Sequence, residues 1–208
     1  MKPFLISLAT FSCLVTGFAT QAASSVDLSV TGLITPSACE PSLPSGDVYD
    51  LGKISVTTLN VDQPTKLLPH SLQLKINCEA STLLALEPRD NRLGSSDAGD
   101  VSPKFGLGLI NDNQRLGSMT LKIDSVVADD VQMYTIGSNG VTSWAPTNLL
   151  SPHFMTAFTP SRTVTAPAPI QLLTAIVSIE PSIAPANTLT LTEEVPIDGS
   201  MTLTVKYL

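Results

Sequence analysis

The stretch Asp198–Leu208, DGSMTLTVKYL, puts Met201, Leu203, Val205 and Tyr207 on one side of an extended chain and Thr202, Thr204 and Lys206 on the other. Strict alternation over seven residues marks a half-buried β-strand. The sequence runs out on this strand with no turn and no polar tail behind it. What lies along its second edge is the question the rest of the chain has to answer.

Working back from there, period-two alternation recurs along the chain, and no run of helical period reaches the usual length of a helix. SLQLKINC, residues 71–78, sets Leu72, Leu74, Ile76 and Cys78 on one face. VDLSVTGLI, residues 26–34, does the same with Val26, Leu28, Val30, Gly32 and Ile34. VYDLGKISV, STLLALE, KFGLGLI, SMTLKID, VQMYTIG, IQLLTAIVSIE and NTLTLTEEV are further strand candidates. Short strands parted by Gly, Pro, Asn and Asp clusters predict an all-β antiparallel sandwich or barrel. Two stretches read as long loops instead: the polar Glu87–Pro103, and the proline-rich Ala145–Ile170, which is either a surface excursion or a pair of irregular edge strands.

The beginning of the chain has a different character. Lys2, an apolar run from Phe4 to Phe18, and small residues at Thr20, Ala22 and Ala23 have the layout of a secretory signal, residues 1–22, cleaved after residue 22 or 23. The apolar run is shorter than the roughly 20 residues a transmembrane helix needs, so direct membrane insertion is not expected. Cleavage removes Lys2 and makes the formal net charge of −7 one unit more negative. With no basic cluster, nucleic acid is not an expected partner. Residues 36–208 are of a size for one domain, preceded by a short extension, residues 23–35.

Cleavage also removes Cys13 and leaves Cys39 and Cys78. An even count in an oxidising compartment reads as a disulfide. Two free buried thiols are the competing reading. A zinc site would need four ligands, and only the distant His70 and His153 could join the cysteines.

No catalytic constellation is legible. Neither histidine sits in a recognisable motif, and nothing matches G-x-S-x-G or H-E-x-x-H. Asp97, Asp100, Asp112, Asp129 and Asp130 read as solvated turns, since their spacing matches no EF-hand calcium loop. Gly106 and Gly108 lack the lysine of a phosphate loop and suit close approach of another chain segment to a strand. Trp144 reads as a core plug or, alternatively, as a ligand-stacking residue. No enzyme activity, metal or cofactor is expected.

VTGLITPSAC, LKINC about 40 residues on, and the penultimate tyrosine of LTVKYL resemble the subunits of chaperone–usher pili of Gram-negative bacteria. In more detail, CEPSL…YDLGKIS…LKINC, DNRLGS, FGLGL…LGSMTLKI, SNGVTSW and IDGSMTLTVKYL are similar to DUF1120, a fimbrial-like family of unknown function. The resemblance implies an incomplete immunoglobulin-like sandwich whose last strand comes from another molecule. Val26, Leu28, Val30, Gly32 and Ile34 would then be the donor strand given to a neighbour. Met201, Leu203, Val205 and Tyr207 would wall the chain's own groove, with the carboxylate beside Leu208 facing a chaperone. The implied partners are a periplasmic chaperone, an outer-membrane usher and neighbouring fimbrial subunits. The implied route runs through the periplasm to the cell surface, with this chain a minor or adaptor-like subunit. On period alone, the terminal stretch is equally a strand of a complete sandwich, one that binds glycan or protein through Trp144 and Ala145–Ile170.

Overall fold

In the computed structural model, residues 28–31, 38–44 and 46–208 are described. The expected signal, and Val26, Gly32 and Ile34 of the expected donor strand, lie outside them. The chain divides into two units, Met1–Thr35 and Pro36–Leu208. Of the first, Leu28 and Val30 are both exposed, at 88% and 90%. No helix among the described residues is long and apolar enough to cross a membrane.

The second unit is an antiparallel immunoglobulin-like sandwich. We number its principal strands β1 (Cys39–Ser42), β2 (His70–Thr82), β3 (Leu84–Asp90), β4 (Gly117–Ala128), β5 (Tyr134–Ser138), β6 (Met155–Thr159), β7 (Ile170–Ile183) and β8 (Met201–Tyr207). One sheet runs β1-β2-β7-β4 and ends on the short strand Leu149–Leu150. The other starts at Ala145–Pro146 and runs β5-β6-β3-β8. The chain therefore crosses between sheets at residues 145–150, which closes that side of the sandwich. On the opposite side the edges are β1 and β8, which share no ladder.

Alternation builds the core. Leu72, Leu74, Ile76 and Cys78 of β2 are buried, and the residues between them are exposed. In β4, Met119, Leu121 and Ile123 point inward until the chain bulges at Ser125, with φ of 51°, after which Val126 and Ala128 take over. The bulge inserts one residue and so keeps apolar groups inside on both sides of it. Cys39 and Cys78 face each other across the β1–β2 pair and form a disulfide.

Five of the stretches read from the sequence are corrected. β6 lies inside the Ala145–Ile170 stretch and is a central strand with all five residues buried. Phe158 enters the main core, while Met155 and Ala157 join a small cluster on the other face, covered by Trp144. A strand buried on both faces loses its alternation, which is why MTAFT looked irregular. KFGLGLI is two short strands, Phe105–Gly106 and Leu109–Ile110, parted by Gly108 in the left-handed region. VYDLGKISV and NTLTLTEEV carry no strand; each has only a single 3-10 turn at one end, Val56–Thr58 and Ala186–Thr188.

The start of the stretch Glu87–Pro103 also belongs to a strand, since β3 continues through Pro88 to Asp90. Pro88 pairs with Leu203, but β6 reaches only Leu86 and Ala85, so at the proline β3 has a neighbour on one side. A residue without an N–H is tolerated there.

Gly106 shows how tightly this loop is folded. A Cβ at this position would collide with Ser95 Oγ and come within 2.9 Å of the Arg92 carbonyl and the Ser96 amide nitrogen. Gly106→Ala is expected to lower the unfolding free energy by about 1–3 kcal/mol, the usual cost of overpacking, measured by urea unfolding.

Candidate functional site

Between the β1 and β8 edges lies a groove of ≈ 1630 Å³. Its floor is the core itself, including Leu72, Leu74, Met119, Leu121, Val177 and Ile179. One wall is Pro41–Leu43 with residues 46–56; the other is residues 191–203. Leu43, Leu191, Val195, Ile197, Met201 and Leu203 are half-buried over the core.

Both walls are poor in backbone hydrogen bonds. Among the described residues, no backbone amide from Leu191 to Ile197 donates one, and from Asp47 to Ile54 only Gly52 does, to Asp50 Oδ1. β8 pairs with β3 from Met201↔Asp90 to Tyr207↔Leu84 and, among the described residues, has no ladder on its other side. Unpaired main-chain donors and acceptors along a wall that ends on an edge strand can template another strand. VYDLGKISV and the LTEEV half of NTLTLTEEV, alternating stretches that form no strand, lie on these opposite walls.

Among the described residues, two polar contacts cross the opening. The Cys39 amide donates to the Tyr207 hydroxyl at 3.0 Å, and Lys53 Nζ lies 3.0 Å from Glu194 Oε1. The second pair is about 90% exposed on both sides and contributes little.

Of the expected wall residues, Met201 and Leu203 line the groove. Val205 packs half-buried on the core, and Tyr207 is 43% exposed with its hydroxyl on Cys39. The Leu208 amide donates to the Leu83 carbonyl, and its side chain is 38% exposed.

The start of β8 is held by residues that the sequence reading quoted only as motifs. Asn91 of DNRLGS donates its amide to Ser200 O and its side-chain nitrogen to Ser200 Oγ and Thr202 Oγ1. Arg92 grips Asp198 of IDGSMTLTVKYL with two bonds of 2.8 Å. Buried Asp90 accepts from the amides of Arg92 and Gly106, setting the loop that presents both. Motifs 106 residues apart thus form one clip on the groove wall.

The Arg92 guanidinium holds the Asp198 carboxyl below its ordinary value of 3.8, chiefly through their hydrogen bonds. A lowered folded-state pKa gives stability that is full above that value and lost as pH falls through the depressed one. Asp198→Asn is therefore expected to be less stable than the parent chain at neutral pH. The difference between their urea midpoints should shrink as pH falls below the ordinary carboxylate value of 3.8 and through the depressed one.

The candidate chemical residues take other places. His70 stacks on Tyr49 with ring centroids 4.3 Å apart, and the backbone amide of His153 donates to Ser151 Oγ. Asp100 pairs with Arg115, and Asp129 accepts from the amides of Gln171 and Leu172. Trp144 donates Nε1–H to the Val141 carbonyl while covering the smaller cluster.

Fold and groove together define a β-sandwich with an apolar, main-chain-lined opening between two sheet edges. A family model described as a protein of unknown function, DUF1120, matches residues 28–104, so the resemblance read from the sequence is borne out over that span. It takes in the first wall of the groove and the Asp90–Arg92 loop. Two relatives come from Escherichia coli strain K12. "Uncharacterized protein YhcF" is 25% identical over 224 residues, covering 90% of this chain and 92% of its own. "Protein GltF" is 25% identical over 255 residues, covering 98% of this chain and 94% of its own.

Proposed function

We propose that this protein is a non-catalytic structural subunit, minor or adaptor-like, of a chaperone–usher fimbria. In this reading the groove receives a strand from a periplasmic chaperone and then, at an outer-membrane usher, the N-terminal segment of a neighbouring subunit. Its own Val26–Ile34 segment serves the next molecule. Such head-to-tail pairing does not close on itself, and it yields a filament at the cell surface. Cell adhesion follows from the filament, not from a reaction.

The observation that carries the reading is the groove: its floor is the domain core, and its walls are two segments with few main-chain partners among the described residues. Apolar surface of this kind is normally covered by a partner. The experiment is co-expression in the periplasm with a fimbrial chaperone. A 1:1 complex that protects the chain from proteolysis is expected. A chain that is equally soluble, monomeric and protease-resistant alone would instead be a complete sandwich.

A further inference from the structure

The charge on the groove rim selects its occupant. Among the residues lining the groove, four are carboxylates, Asp47, Asp50, Glu193 and Glu194, and one is a cation, Lys53. Lys53 is engaged by Glu194 at 3.0 Å. Asp47, Asp50 and Glu193, all exposed, make no ion pair among the described residues. The rim thus presents three uncompensated negative charges around an apolar floor, on a chain whose formal net charge is already −7.

An extended occupant that buries alternate apolar side chains turns its other face outward, level with this rim. In a second copy of this chain, that face of residues 26–34 is Asp27, Ser29, Thr31 and Leu33, with no basic residue in the segment. Asp27 would add a fourth negative charge beside three. Like charges set side by side oppose association and exclude partners, whereas opposite charges steer them in. We infer that the groove is built for an extended, alternating segment of a different polypeptide, one that carries a basic residue on its outward face, and that it discriminates against this chain's own Val26–Ile34. The inference rests on the strand-accepting reading proposed above.

The test uses the full mature chain, disulfide intact, and acetylated, amidated peptides of residues 24–35. One peptide has the native sequence; the others carry Asp27→Lys, Ser29→Lys or Thr31→Lys, because screening over about 8 Å at physiological salt makes only a nearby charge count. At low salt, at least one lysine peptide is expected to bind about five- to tenfold tighter than the native peptide, the scale of two or three exposed pairs. The gain should fall below about twofold in 1 M salt, where the screening length is about 3 Å. It should also disappear against the Asp47→Asn, Asp50→Asn, Glu193→Gln chain, whose side chain at position 50 keeps an oxygen that can accept from the Gly52 amide. The inference is overturned if no lysine peptide outbinds the native one, or if the gain survives neutralisation of the rim. If no peptide binds at all, the strand-accepting reading fails and takes this inference with it.

Discussion

A mature chain lacking Ser24–Ile34 is expected to fold, bind the chaperone and be missing from the filament. The domain that begins at Pro36 contains both walls and the floor of the groove, so the deletion leaves the receiving site whole. What it removes is the segment that, in the proposed reading, is given to the neighbour. Paired as a strand in a neighbour, its nine residues would extend about 30 Å and present Val26, Leu28, Val30 and Ile34 on one face. Burying four aliphatic side chains yields roughly 6–12 kcal/mol before the costs of association. Losing that should lower incorporation at least about a hundredfold. The measurement is the ratio of filament-bound to periplasmic protein. Unchanged incorporation of the truncated chain would remove the donor role from this segment.

Replacing both Cys39 and Cys78 with serine is expected to lower stability by about 4 kcal/mol, the chain-entropy value for the loop they close across a separation of 39 residues. Stability is not all that would go. β1 is only four residues long, has a ladder with β2 alone among the described residues, and begins the first wall of the groove. Without the covalent link, β1 is left to its short ladder with β2 and the Cys39 bond to Tyr207, and the groove loses definition on that side. Urea unfolding of the oxidised chain and the double-serine chain reports the first effect, and chaperone capture the second. A loss below about 1 kcal/mol would mean that β1 is held by other contacts.

The strands with one wet face were legible from alternation, because one buried face imposes period two; β2 and β8 are of this kind. β6 was hidden because burial on both faces erases the period. The opposite error is more informative. Val48–Val56 and Asn187–Val195 alternate as strands do, yet carry no ladder. Their pattern specifies a face to bury, while the partner backbone that would complete a ladder is absent from their own sheet. Alternation without pairing is therefore the sequence trace of the groove, recognisable once both stretches are seen on its walls. The clip of Asn91 and Arg92 on Ser200 and Asp198 left only short polar motifs, since nothing in spacing says that two loops 106 residues apart meet.

The most direct test is a photo-crosslinking residue in place of Leu203, on the groove wall, in cells that export and assemble the chain. Mass spectrometry of the crosslinked peptides then identifies what lies beside it. The account predicts an extended segment of another polypeptide: the chaperone's in the periplasm, and a neighbouring subunit's N-terminal residues in the filament. Crosslinks confined to the same chain, in material assembled into filaments, would contradict it.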